Sequence, residues 1–465
     1  REQQVVFVPT RLHSAKSDAR TMSKKVQRSN YWPKRRETQN TKEEDGLDNF
    51  DYMGDNPRET QKARSELSNG KTGATDQQLV MLNKSYKKNR RVSKVTDTSF
   101  RTLESCWGED GSWQVFAEFP KKYEEQFAQR SLKLWPKNSS GGGASNVLAS
   151  WGIGVVNTKG CKGENDTTVG QDSCSVSRLY DGTECFCVMD GHGPDGHWPA
   201  DRAVKSLPFF LQGDYEVSLR NKGASNMALI EAFRKVQKDL EHWAPKEDIG
   251  LLTCGSTAVC ALHQEAEKQL WVATAGDSRA ILIVPGIGVA QQTKDHKPSD
   301  PEEKRRLEAS GCEVDIQQHD DGWSEERVYV KGERYPGLSM TRSLGDVIVE
   351  DKGVYSKPEV VNWPLKDYPS CYLLMASDGV WEFMSSAEVG QFVLDGLQKR
   401  RVSCQQVCQD LLHKCRDKWY DADPDYTDDI TAVLVPLDGR RAPTVERRPP
   451  TGCNAFLSKM GCLGL

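Results

Sequence analysis

The chain has 465 residues, with 63 Lys and Arg against 67 Asp and Glu and a formal net charge of −4, a length that allows one large or two ordinary domains around a sizeable core. Residues 1–100 carry 21 basic and 13 acidic side chains, which leaves 42 and 54 for the remainder, so a basic arm precedes an acidic body. An acidic body repels a phosphate backbone, which excludes nucleic acid as the main partner.

In chain order, residues 1–100 show few apolar clusters and no sustained helical or strand period, and read as a largely disordered arm with short motifs. Arg90-Arg91-Val92-Ser93 has the form of a site for basophilic kinases. Aromatic density then rises from Phe100 to Pro136, with Trp107, Trp113, Phe116 and Trp135. Residues 101–145 therefore read as a docking segment, or a small helix packed on the body, closed by a flexible joint at Ser139-Ser140-Gly141-Gly142-Gly143. Residues 146–437 form the expected catalytic body and 438–465 a tail.

Within the body, Trp151–Val156 and Cys185–Met189 read as strands, separated by a polar, Gly-rich insertion from Gly160 to Gly170. Leu229, Phe233, Val236, Leu240 and Trp243 recur at helical spacing and predict one apolar helix face. Ala258–Leu262, Leu270–Ala275 and Ala280–Val284 are strand-like. Asp300, Pro301 and Glu303 supply an N-cap, a first-position proline and a capping-box partner for a helix that ends at Gly311. Tyr372–Ala376 and Ile430–Val435 read as buried strands, and Ser385-x-x-Glu388 and Ser403-x-x-Gln406 each open a helix. The second of these also follows Arg400-Arg401, so Ser403 reads both as a kinase site and, more strongly, as a cap. Strands in pairs and helices in pairs predict an α+β fold.

The fourteen cysteines show no C-x-x-C spacing, and several sit in apolar runs, the usage of reduced thiols in an intracellular protein. The expected location is the cytoplasm, with the nucleus as the alternative. Cys462-Leu463-Gly464-Leu465 resembles a C-a-a-X prenylation box, near Arg447, Arg448 and Cys453, and membrane association is expected only if Cys462 is lipidated.

The chemistry centres on Met189-Asp190-Gly191-His192-Gly193, which follows a buried strand. Asp is a hard oxygen ligand for Mg²⁺ or Mn²⁺, Gly lets its carbonyl approach closely, and His passes protons near neutral pH. Taken alone, Asp-Gly is equally a turn dipeptide. Further acidic strand ends accompany it: Gln171-Asp172, Ala275-Gly276-Asp277-Ser278-Arg279, Ala376-Ser377-Asp378-Gly379-Val380-Trp381-Glu382 and Asp428-Asp429-Ile430-Thr431. Gly255-Ser256-Thr257, Asp295-His296-Lys297-Pro298 and Thr341-Arg342-Ser343-Leu344-Gly345-Asp346 lie between them.

In this order of motifs, over roughly residues 147–436, the chain resembles the metal-dependent Ser/Thr protein phosphatases of type 2C. The resemblance implies a central sandwich of two antiparallel β-sheets flanked by pairs of α-helices, with two Mg²⁺ or Mn²⁺ ions in a cleft at one end. It implies that Asp190 bridges both ions with help from the Gly191 carbonyl, that Asp378 and Asp428 hold one ion, and that Asp172 acts from an early strand. Asp277 and Glu382 match an acidic pair for a weaker third ion, although Glu382 is a methylene longer than the usual Asp. His192 matches the proposed general acid. The family's early phosphate-binding Arg has no clear counterpart: Lys162 lies nearby, but the insertion from Gly163 to Gly170 breaks the spacing. Gln171 reads as a supporting residue, His197 as a cap or packing group, and Arg342 as a residue that orders its loop.

The function expected is hydrolysis of phosphoserine and phosphothreonine in proteins by a monomer. The alternative is a weak or inactive phosphatase-like scaffold that binds phosphoproteins; a metal-dependent nuclease suits the two-ion chemistry but not the acidic body. The region from Gly311 to Gly337 corresponds to a flap, whose Glu325 and Glu326 would favour phosphopeptides with basic flanks.

Overall fold

The structure, a computed structural model, describes residues 99–438 apart from 109–110, 121–123, 137–142, 164–165, 167, 219–224, 319–323 and 369. The Ser93 motif, nearly all of the 1–100 arm, most of the Gly/Ser joint, and Cys453 and Cys462 lie outside the described residues.

Helix α1 (Phe100–Ser105) leads into β1 (Trp113–Ala117) and β2 (Leu132–Trp135). Helix α2 (Ala144–Ser150) leads into β3 (Gly154–Thr158), β4 (Cys161–Lys162), β5 (Ser173–Arg178), β6 (Glu184–Met189) and β7 (Gly191–His192). Two long helices follow, α3 (His197–Ser218) and α4 (Ser225–Trp243), then β8 (Gly255–Ser256), β9 (Ala258–Gln264), β10 (Gln269–Ala275), β11 (Arg279–Val284) and β12 (Gly288–Gln292). Helix α5 (Pro301–Ser310) precedes β13 (Cys312–Gln318), β14 (Ser324–Val330), β15 (Pro336–Leu338), β16 (Leu344–Gly345) and the short α6 (Val347–Glu350). The remainder runs through β17 (Glu359–Pro364), β18 (Tyr372–Ala376), α7 (Asp378–Trp381), α8 (Ser386–Leu394), α9 (Cys404–Ala422), β19 (Tyr426–Thr427) and β20 (Ile430–Pro436).

One sheet has the order β17-β10-β9-β6-β5-β1-β2 and the other β12-β11-β18-β20-β3, and every neighbouring pair is antiparallel. Side-chain alternation builds three apolar layers from these two sheets. Phe186 and Val188 point between the sheets, where they meet Val155, Leu282, Met375 and Val433. Cys185, Cys187 and Met189, one residue out of phase, face α3 and α4 and pack with Leu207, Leu229, Phe233 and Val236. On the far side, Ile281, Leu374 and Leu434 pack against Val407, Leu411 and Cys415 of α9. The result is the expected α+β sandwich, helices on sheet on sheet on helices.

The sheet begins earlier than the sequence reading places the body. β1 pairs with β5 through Val115↔Val176 and Phe116↔Ser175, and β2 pairs with β1. Val115 and Ala117 enter the inter-sheet core, while Phe116, Trp107 and Trp135 enter the layer under α3. Phe100–Ser105, Trp113–Ala117 and Leu132–Trp135 are thus a helix and two strands of the sandwich rather than a segment docked on it.

Helix ends follow the sequence signals with one exception. Asp300 caps α5 by accepting from the amides of Glu302 and Glu303 at 2.8 and 3.3 Å, and Gly311 closes it at φ +108°. Glu303, however, does not return to the cap. Its carboxylate accepts from Arg342 at 2.6 and 3.1 Å, Arg306 at 2.6 Å and Thr341 at 2.5 Å. Burial alone would raise this carboxyl; the Arg342 and Thr341 donors outweigh it and hold the group at about 2. Arg342 is thereby tied to α5, which orders the loop after β15. Ser385 and Glu388 form a full capping box on α8, and the Ser403 hydroxyl accepts from the Gln406 amide at 3.2 Å as the cap of α9.

Candidate functional site

The carboxylates predicted from sequence sit where strands of both sheets end. Asp190 separates β6 from β7, and its backbone is fixed by two bonds to Thr257: the Thr257 amide donates to the Asp190 carbonyl at 2.8 Å, and the Asp190 amide donates to the Thr257 hydroxyl at 3.2 Å. Only glycine fits next to it, since a Cβ on Gly191 would collide with the carbonyl of Gly196. Asp172 stands before β5, 2% exposed, and its Oδ2 accepts from the Ser377 hydroxyl at 2.6 Å. The same hydroxyl accepts from the Thr431 amide at 3.1 Å. Ser377 therefore ties the start of β5 to the ends of β18 and β20, which carry Asp378 and Asp428.

Electrostatics shows how closely these groups meet. Burial, followed by the like charges of Asp378, Asp172, Asp428 and Asp277, pushes the Asp190 carboxyl well above the usual carboxylate range. Burial and the charges of Asp428 and Asp277 raise Asp378 to about 7. Asp172 is pushed well up by burial and then by Asp429. Asp428 departs from the pattern. Burial acts to raise it as well, but the ammonium of Lys162, in direct contact with its Oδ1, holds it below the usual range.

The adjacent pair Asp428-Asp429 divides its work. Asp429 accepts from the Gly160 amide at 2.7 Å and the Gln171 amide at 2.5 Å, so its carboxylate is consumed by backbone. Asp428 faces the cluster, beside the Tyr426 hydroxyl at 3.3 Å.

Asp277 is fully buried; Lys297 donates to its Oδ2 at 2.5 Å, and its Oδ1 has no partner among the described residues. Burial disfavours the Lys297 ammonium, yet Asp277, Asp378 and Glu382 together hold its proton more firmly than usual. Glu382 itself lies exposed at the end of α7.

His192 is positioned by a small ladder. β7 pairs with β8 and β8 with β16, which carries Asp346 to the imidazole. His192 Nε2 lies 2.6 Å from Asp346 Oδ2, and the Ser343 hydroxyl donates to the same oxygen at 2.5 Å. Gly255 is bare for a reason, as a Cβ there would strike that carboxylate. Burial opposes charge on His192, but Asp346, then Asp277 and Asp378, raise its pKa. His192 Nδ1 is buried without a partner among the described residues.

A sequence model described as Protein phosphatase 2C matches residues 156–419, more than half of the chain. The chain belongs to the protein phosphatase 2C family. It is 32% identical over 272 residues to probable protein phosphatase 2C 64 of Oryza sativa subsp. japonica, a match that spans 56% of this chain and 60% of that protein's length. It is 30% identical over 300 residues to probable protein phosphatase 2C 61 of Arabidopsis thaliana, spanning 62% of this chain and 85% of the relative. The solved serine-threonine phosphatase 2C from Toxoplasma gondii superposes with a TM-score of 0.50 at 17% identity, over 69% of this chain and 98% of that one, and shares the fold.

In this 2C-family chain the cluster suits hard divalent ions. Its donors are oxygens throughout. Five carboxyl groups, Asp172, Asp190, Asp277, Asp378 and Asp428, meet two ammonium groups, Lys162 and Lys297, so negative charge stays in excess. The thiols of Cys185, Cys187 and Cys260 are fully buried under the helices and face away from the cluster.

Sequence reasoning left Asp346 and Lys297 without roles, although both stand inside motifs it singled out. It also set Lys162 aside on spacing, yet β4 pairs with β19 and brings Lys162 to Asp428 despite the insertion. Gln171 supports the neighbouring turn, donating to the Gly193 carbonyl at 2.7 Å. His197 packs beside Phe119 at the start of α3. Part of the acidic flap is engaged in ion pairs: Glu325 with Arg327 at 2.5 Å, Glu326 with Lys304 of α5 at 3.0 Å and Asp315 with Arg334 at 2.5 Å. His319, Asp320 and Asp321 lie outside the described residues.

Proposed function

We propose that this chain hydrolyses phosphoserine and phosphothreonine in proteins at a pair of Mg²⁺ or Mn²⁺ ions held by Asp172, Asp190, Asp378, Asp428 and the Gly191 carbonyl. The observation that carries the reading is the crowding of buried carboxyls, whose burial and like charges push Asp190 and Asp378 up. At 4 Å two such charges repel by about 1 kcal/mol in water and about 4 kcal/mol at an effective dielectric of 20. A fold has no physical reason to hold that repulsion unless cations relieve it. Bound there, divalent ions supply Lewis acidity and lower the pKa of water.

The remaining steps belong to the chain's own groups. The serine or threonine alkoxide is a poor leaving group and needs a proton. His192, whose pKa Asp346 raises against burial, offers one from Nδ1, the nitrogen not engaged by the carboxylate. Lys162 reaches the cluster from the side of Asp428 and adds positive charge near an incoming phosphoryl group. A third ion at Asp277 and Glu382 would share Asp277 with Lys297, which occupies its Oδ2.

One observation favours the second reading, a phosphoprotein-binding scaffold: Lys162 and Lys297 already neutralise Asp428 and Asp277 in part without metal. Hydrolysis of a phosphothreonine peptide by the parent and by Asp378→Asn, with Mn²⁺ and with chelator, separates the two. The phosphatase reading expects turnover only in the parent with Mn²⁺, lower by roughly 10²–10³-fold in the variant. Peptide binding at equal low rates throughout would leave the scaffold.

A further inference from the structure

We propose that residues 124–130, which precede the matched phosphatase region, act as a strap that positions Asp172, with Arg130 as the positioning residue; the inference rests on the metal-centre reading above. The strap runs along the end of β3: the Arg130 amide donates to the Asn157 carbonyl at 2.8 Å and the Lys159 amide to the Ala128 carbonyl at 3.1 Å. From there the Arg130 guanidinium, 8% exposed, donates to two carbonyls of the loop leading into β5, Gly170 at 2.6 Å and Asp172 at 2.5 Å. Glu124 completes the grip. Its Oε2 accepts from the Gly170 amide at 2.8 Å and lies 3.5 Å from the Arg130 guanidinium. Gly170 has no room for a side chain, since a Cβ there would come within 2.9 Å of Arg130 Nη2.

The loop into β5 is fastened at its start by the pairing of β4 with β19 and by Asp429, which takes the Gly160 and Gln171 amides; the strap adds the hold on the Gly170 and Asp172 carbonyls. The Asp172 carboxylate is aimed by the Ser377 hydroxyl from one side and by the backbone that Arg130 holds from the other. Arginine fits the task because one planar group satisfies two buried carbonyls at once; lysine reaches one. Partners that orient a metal ligand typically change metal affinity by about 10–100-fold when removed. Arg130 bonds the carbonyl of Asp172 and not its carboxylate, so the effect runs through geometry.

The test is Mn²⁺ binding to the full chain by calorimetry, with parallel Mn²⁺ activation curves on a phosphothreonine peptide, for the parent, Arg130→Met and Arg130→Lys. The expected result is a loss of Mn²⁺ affinity of about 10–100-fold in Arg130→Met, a smaller loss in Arg130→Lys, and kcat at saturating Mn²⁺ close to the parent in both. Arg130→Lys keeps one of the two carbonyl bonds and reports on the inference if Arg130→Met does not fold. Folded variants that bind Mn²⁺ as the parent does would overturn the strap. A parent that binds no Mn²⁺ would instead overturn the metal centre, and the strap with it.

Discussion

Asp190→Asn is expected to abolish turnover of a phosphothreonine peptide, by on the order of 10³-fold, and at the same time to raise the melting temperature of the protein in chelator. Both effects have one cause. Asp190 is the carboxyl on which the charges of Asp378, Asp172, Asp428 and Asp277 all act, in a fully buried position. Asparagine keeps the shape and removes the ionisable group, so the metal-free fold no longer bears the burial and like-charge cost of a carboxyl there. In Mn²⁺ the order of stability reverses, because the parent gains binding energy that the variant cannot. Melting curves of both proteins in chelator and in Mn²⁺ check this. A variant less stable than the parent in both conditions would mean that the carboxyls are not in conflict.

His192→Gln is expected to slow hydrolysis of a phosphothreonine peptide by roughly 10²–10⁴-fold, the usual worth of a placed proton donor, while an aryl phosphate loses far less. The difference arises at the leaving oxygen. An alkoxide needs the proton that His192 Nδ1 supplies, whereas an aryl oxide departs without it. Asp346→Asn tests the other half of the dyad. Asp346 raises the His192 pKa, so its removal lets the ring lose its proton at lower pH, and the alkaline limb of kcat should move toward acid. Equal losses on both substrates, with an unmoved pH profile, would assign His192 and Asp346 to structure alone.

Much of the sandwich is legible from pattern because its layers are sorted by alternation. α4 shows its buried face at helical spacing, and β6, β9 and β18 are apolar on both faces because helices cover one side and the opposite sheet the other. α3 escapes this reading. It contains Pro208, and its packed positions include Ala200 and Ala203, too small to stand out beside Trp198, Val204 and Leu207. β5 is hidden for a different reason. Only Cys174 and Val176 face the inter-sheet core, while Ser173, Ser175 and Ser177 face the helix side, where the Ser175 hydroxyl donates to the Val204 carbonyl at 2.9 Å. A strand that turns serines to a helix looks like a loop in sequence.

At the site, the acidic strand ends announce themselves, since an Asp that follows a buried strand has little reason to be there except chemistry or a turn. The cations and the second half of the His192 pair do not. Lys162 and Asp346 reach the cluster through long-range pairings, β4 with β19 and β16 with β8, and Lys297 through the His296 amide, which donates to the Gly276 carbonyl at 2.9 Å. No local spacing encodes such an approach. The choice between Asp428 and Asp429 illustrates the same limit, because what separates them is that two loop amides, from Gly160 and Gln171, occupy the second carboxylate.

The most direct measurement of the central claim is anomalous diffraction from crystals grown in Mn²⁺. Two Mn²⁺ peaks are predicted within the cluster, both within about 2.2 Å of oxygens of Asp190 or of waters it holds, with Asp378 and Asp428 on one of them. A fully loaded crystal with no peak beside Asp190 would contradict the account.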